Sequence, residues 1–159
     1  MALVVVMGVT GSGKSTVGTA LAERMGVPFA DADDFHSPEN VAKMRSGVPL
    51  TDEDRRPWLL SIGKWLAEHA ARGAVVTCSA LKLVYRDTLR EAAPAVTFLH
   101  LHGDKATVRE RVGSRPGHFM PESLVDSQFA DLEPLGPDER GVVVDLALPV
   151  EVIVGRFLE

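Results

Sequence analysis

The feature that most constrains this chain is Gly8-Val-Thr-Gly-Ser-Gly13-Lys14-Ser15, a full match to the pattern G-x4-G-K-[ST]. Before it runs Ala2-Leu-Val-Val-Val-Met7, a short β-branched stretch that reads as a strand buried on both faces. After it, Val17, Leu21 and Met25 recur at fours, so Lys14 to Met25 reads as a helix that Gly26 stops. A glycine loop between such a strand and such a helix has a physical use. The glycines let the backbone curl until successive N–H groups point at one anion, and the helix adds its positive N-terminal end. Lys14 is placed to reach β- and γ-phosphates, and the Ser15 hydroxyl suits Mg2+. A turn that merely joins two elements needs neither residue at those positions. Gly8, Val9, Thr10, Gly11, Ser12, Gly13, Lys14, Ser15 and Thr16 are therefore expected to hold a nucleoside triphosphate.

The rest of the chain alternates. Strands are expected at Val27–Ala30, Val75–Cys78, Val96–Leu101 and Gly141–Asp145. Helices are expected from about Asp54 to Arg72, over Leu81–Ala92, from Asp104 to about Gly113, from Pro121 to Leu132, and briefly from Pro149 onward. Between Asp31 and Asp54, where seven of the 22 acids lie, irregular or short-helical structure is expected. Strands alternating with helices mean βαβ units, hence an α/β fold with a parallel sheet covered on both faces. At 159 residues the whole chain makes one domain. Ligands of such sheets sit outside the carboxyl ends of the strands, where Gly8–Thr16, Asp31–Asp34 and Ser79–Lys82 all fall. Alternation along an extended segment turns Asp31 and Asp33 to the same side. One can serve Mg2+ through water, while the other can take the proton of an attacking hydroxyl. Asp34 reads as a helix cap.

Composition removes several classes. The net charge of −5 gives no global positive field, so neither nucleic acid nor an anionic membrane is an expected partner. The apolar run at Ala2–Met7 is far shorter than the roughly 20 residues of a membrane span and has no basic leader, so the cytoplasm is the expected address. The single cysteine, Cys78, excludes an intramolecular disulfide and reads as packing. His69, His100 and His102 follow no metal-ligand spacing and read as structural.

One long block is more specific than the loop: Asp31-x-Asp33-x-x-His36, Asn40, Lys43-Met44, Gly47, Pro49-Leu50, Asp52-x-Asp54-Arg55 and Pro57-Trp58-Leu59. With Cys78-Ser-Ala-Leu-Lys82, Tyr85-Arg86, Gly117-His118-Phe119 and Gln128-Phe129, it resembles the gluconokinases, small P-loop kinases of the shikimate kinase-like group, along nearly the whole chain. The resemblance implies a three-layer P-loop kinase fold with a five-stranded parallel sheet. It also implies a substrate-binding segment over 31–58 and a lid over about 109–120. The implied reaction is ATP-dependent phosphorylation of D-gluconate at its 6-hydroxyl, with Asp31 on the metal side and Asp33 on the substrate side. Relatives of this kind imply a homodimer. Ala32 stands where the family often has glycine, and Asp34 adds an acid beside the pair. A shikimate-type site would need a glycine-rich loop after the third strand, where this chain has Ser79-Ala-Leu-Lys82.

Gluconate is a linear anionic polyol, so its site needs a cation for the carboxylate and polar groups for the hydroxyls. His36, Arg45, Arg55, Lys82 and Arg86 are the cations near the right strand ends, with Asn40, Asp52 and Asp54 for hydroxyls. Lys82 and Arg86 stand at i and i+4 and are expected to act as a pair on one helix face. Trp58 reads as core rather than as a sugar platform. Arg109 and Arg111 fit a lid or a solvated helix face equally. Arg115, beside Pro116-Gly117, is the expected lid arginine, able to neutralise charge on the transferring phosphoryl group.

Overall fold

The computed structural model describes residues 2–48, 50–113 and 122–159. Arg115 and the Gly117-His118-Phe119 block lie outside the described residues. Five strands form one parallel sheet: β1 Leu3–Met7, β2 Phe29–Asp31, β3 Ala74–Thr77, β4 Val96–His102 and β5 Gly141–Asp145, in the order β2-β3-β1-β4-β5. Helices α1 Lys14–Met25, α2 Pro38–Arg45, α3 Asp52–Glu68, α4 Leu83–Ala92, α5 Lys105–Gly113, α6 Glu122–Asp131 and α7 Val150–Leu158 pack around it, with a 3-10 turn over Ala32–Phe35.

β1 is buried throughout because both faces are covered. On one face Leu3, Val5 and Met7 pack with Leu59, Ile62 and Leu66 of α3 and Leu89 of α4. On the other, Val4 and Val6 pack with Val17 and Leu21 of α1, Val108 of α5 and Ile153 of α7. β1 has β3 on one side and β4 on the other, and the loop after its carboxyl end opens between them, where parallel sheets receive ligands.

Several boundaries move for local reasons. β2 begins two residues later than the sequence suggests, because Gly26 takes a left-handed conformation and Val27 N–H caps α1 by donating to Ala22 O. α3 begins at Asp52, where Thr51 and Asp54 form a reciprocal capping box, and it ends at Glu68. Pro57 therefore sits in the second turn, not the first, and leaves the Glu53 carbonyl without its helical partner. α4 starts at Leu83 rather than Leu81, since the Leu81 carbonyl is taken by Arg86 and by the Glu133 N–H. Asp34 caps nothing: Asp31 caps the 3-10 turn by accepting from Asp33 N–H, and Ser37 caps α2.

Candidate active site

The loop between β1 and α1 curls as its glycines allow. Gly8, Gly11 and Gly13 have φ of +151°, +77° and +88°, values that other L-residues rarely adopt. A Cβ on Gly11 would meet Val112 of α5 at 2.6 Å. The Lys14 ammonium donates to the carbonyls of Gly8 and Val9 at 3.0 and 3.1 Å, arched over its own loop. The loop is tied on both flanks. Gly8 N–H donates to Ser79 O at 3.3 Å, and Thr10 N–H donates to Gln128 Oε1 of α6 at 2.6 Å.

Across a cleft of about 320 Å³ stand Asp31 and Asp33, with Trp58, Cys78 and Ser79 also on the wall. Ser15 Oγ donates to Asp31 Oδ2 at 3.3 Å, while Asp31 Oδ1 accepts from Asp33 N–H at 2.9 Å. Strand alternation is not what brings the two acids together, because β2 ends at Asp31 and the 3-10 turn carries Asp33 back to the cleft. Burial raises the Asp33 pKa above the usual carboxylate range and the Asp31 charge raises it further, against the lowering influence of His36 and Lys14. Burial also lowers the His36 pKa, opposed by Asp33 and assisted by Arg55. The His36 ring stacks on Trp58 at 4.3 Å between centroids, and Trp58 Nε1 donates to Ala32 O at 2.7 Å. Trp58 is thus core and cleft wall at once. Cys78 is buried, and burial pushes its thiol up to about 12, so it is no nucleophile.

The other expected cations divide. Arg55 and Lys82 gather around Tyr85 and Asp52. Arg45 is exposed at the end of α2. Arg86 does not face the cleft, and the expected pairing with Lys82 on one helix face fails. Lys82 is the residue before α4, whereas Arg86 turns inward, fully buried. Its guanidinium donates to Glu139 at 2.7 and 3.1 Å and to the carbonyls of Ala80, Leu81 and Glu133. It thereby fixes Ala80, the one non-glycine with positive φ (+46°) among the described residues. Asp54 is engaged by Lys43 at 2.9 Å and by the Thr51 N–H, which together hold its pKa at about 2; it is committed to capping α3 rather than to a sugar hydroxyl. Asn40 likewise donates to the Asp54 carbonyl at 3.0 Å. Arg109 pairs with Asp126 of α6, and Arg111 reaches Ser12 O at 3.5 Å and Leu146 O at 3.0 Å, across the phosphate loop.

Two participants carried no role from sequence alone. Gln128 appears there only as part of a resembling block, and helical spacing says nothing of its bond to Thr10. Tyr85 likewise appears there only within a resembling block, and its contacts with Arg55 and Asp52 arise only when α3 is brought against α4.

Comparison with known proteins gives the family and the fold. The family model for shikimate kinase matches residues 10–128. The chain is 50% identical to a gluconokinase of Gluconobacter oxydans (strain 621H), over 97% of this chain and 88% of that one. It superposes on the crystal structure of a gluconokinase from Sinorhizobium meliloti 1021 with a TM-score of 0.88 and 51% identity, covering 97% of this chain and 87% of that one. Shikimate kinase from Aquifex aeolicus vf5, at 20% identity and a TM-score of 0.63 over 98% and 92% of the two chains, shares the fold. A phosphate loop facing two carboxylates, on a chain this similar to those proteins, places it in the gluconokinase family of the shikimate kinase-like P-loop kinases.

Proposed function

We propose that this protein transfers the γ-phosphoryl group of ATP to the 6-hydroxyl of D-gluconate, giving 6-phospho-D-gluconate and ADP. The observation that carries the reading is the meeting, in one cleft, of the Gly8–Thr16 loop with a buried carboxylate of raised pKa, Asp33, in a chain of gluconokinase ancestry. The loop amides and the α1 N-terminus cradle the phosphates, and Lys14 turns from its own carbonyls toward their β- and γ-oxygens. Asp33 accepts the proton of the attacking hydroxyl; its raised pKa makes it a stronger base than an ordinary carboxylate. His36, braced by Trp58, stands beside Asp33 and helps to hold the acceptor.

The residues also fit Mg2+. A hydroxyl and a carboxylate, Ser15 and Asp31, already lie side by side. Two such oxygen ligands suffice for an ion that takes the rest of its shell from phosphates and water. Bound there, Mg2+ would neutralise phosphate charge. Arg115 is the proposed lid arginine. We take the protein to act in the cytoplasm as a homodimer, without nucleic-acid or membrane partners; the single buried, unpaired Cys78 suits a reducing compartment. Among the described residues no helix is long and apolar enough to cross a membrane.

The test is ADP release from ATP·Mg2+ with and without D-gluconate, with the product identified by phosphorus NMR. Gluconate-dependent turnover yielding a phosphomonoester at C6 is expected. Equal ADP release with and without the acid overturns the acceptor assignment.

A further inference from the structure

Three donors, one from α3, one from α4 and one from the residue before α4, converge on one carboxylate oxygen. Tyr85 Oη donates to Asp52 Oδ1 at 2.5 Å, and Lys82 Nζ and Arg55 Nη1 lie 3.5 and 3.8 Å from the same atom. Arg55 also donates to Tyr85 Oη at 3.1 Å, so the phenol accepts from one cation while it donates to the acid. Both cations lie over the Tyr85 ring, at 5.6 and 5.5 Å from its centroid. Two cations and a hydroxyl aimed at one point are the chemistry that recognises a carboxylate.

The group now at that point reaches in from outside. The Asp52 side chain is 59% exposed, against 31% for Arg55 and 29% for Lys82. The fold does not need Asp52 there, because α3 is already capped by Thr51 and Asp54. The elements that carry the cluster also reach the cleft, since Trp58, one turn after Arg55 on α3, lines it. Arg55 acts on the charge of His36, which in turn interacts with Asp33, and Lys82 follows the cleft residue Ser79 by three positions.

We infer that Arg55, Lys82 and Tyr85 form the seat for the carboxylate of the acceptor, and that Asp52 fills this seat when no substrate is bound and leaves it when a substrate carboxylate enters. The inference rests on the gluconate reading above. One anion replaces another, so the charge around the two cations stays balanced throughout. A neutral polyol has nothing to exchange and meets the seat already filled. The internal carboxylate thereby contributes to selecting acids, at the expense of some affinity for every acid.

That expense supplies a test with a sign. Asp52→Asn removes the internal competitor, so KM for D-gluconate should fall about three- to fivefold, with KM for ATP and kcat within twofold of the parent. A raised KM would mean that Asp52 binds a substrate hydroxyl or holds the cations in place; a raised or unchanged KM overturns the inference. Lys82→Met should raise KM for gluconate tenfold or more with KM for ATP unchanged, and an unchanged gluconate KM would equally overturn it. In the Lys82→Met background, Asp52→Asn should improve KM by less than it does in the parent. Parent enzyme without gluconate-dependent turnover would instead overturn the gluconate reading, and this seat with it. Turnover in the parent with the wrong sign in Asp52→Asn overturns the seat alone.

Discussion

At the scale of single residues, the roles proposed for the phosphate loop and for the carboxylate facing it divide binding from chemistry. Lys14→Ala should reduce phosphoryl transfer below detection while the protein still unfolds cooperatively; near-parental activity in that variant would remove the ammonium from the phosphate site. Asp33→Asn should lower kcat by roughly 10²- to 10⁴-fold, the usual contribution of a general base, with gluconate and ATP KM changed little. Because burial and Asp31 raise the Asp33 pKa, and a base works only when ionised, kcat should fall as pH drops through that raised value. The limb should lie above the pH where an ordinary carboxylate titrates, and it should vanish in Asp33→Asn. A parental pH profile in the variant would assign the limb to another group. The curled loop that carries Lys14 and Ser15 was legible in the sequence because a motif sets its residues within a few positions. Arg86 was not: a charged side chain reads as solvated by default, and its partner Glu139 lies 53 positions away.

At the scale of elements, helices are held to one another by a few close approaches. Gly63 of α3 is one, since a Cβ there would lie 2.6 Å from the Ala92 Cβ of α4. Gly63→Ala should push the helices apart and cost about 1–3 kcal/mol, measured by urea denaturation. The other fastening is Arg86, which joins the β3–α4 connection to the segment between α6 and β5. Arg86→Met would leave Glu139 with Arg90 and the Gly136 N–H as its remaining partners and three carbonyls without their donor, and should cost about 2–4 kcal/mol. Burial would raise the Glu139 pKa, yet hydrogen bonds from Arg86 and from Gly136 N–H hold it at about 2. A depressed carboxylate stabilises the fold fully above its unfolded pKa, near 4.3, and loses that contribution as pH falls toward 2. Glu139→Gln should therefore be less stable at neutral pH and lose less stability across that acid window; a parental pH–stability curve would contradict the ion pair's role. Element types followed from the apolar periodicity, which reports burial directly. Starts and stops did not, because Val27, Thr51 and Leu81 spend their backbone groups on caps and on partners that periodicity does not encode.

At the scale of the whole molecule, both helical layers pack on one sheet, and the cleft opens at the carboxyl ends of its strands. Unfolding should be a single transition. Nucleotide at a hundred times its Kd should add about 2.7 kcal/mol, raising Tm by roughly 5–10 °C, and the shift should be lost in Lys14→Ala. A shift that survives in that variant would put the nucleotide elsewhere. The sequence by itself determined the α/β architecture, the strand–loop–helix with its curled glycine loop, and the acids at the end of β2. Each depends on residues near in the chain: β-branched runs pack as strands, glycines permit the curled loop, and a lysine and a serine follow at fixed spacing. Only the tertiary structure decided which cations come together and which is buried. The chain offers Arg45, Arg55, Lys82 and Arg86 as chemical equals, but packing separates them. It brings α3 against α4, so that Arg55 and Lys82 meet at Tyr85, and it brings Glu139 under α4, so that Arg86 is buried. A charge takes its role from the dielectric and the partners around it, and those are supplied by segments distant in sequence.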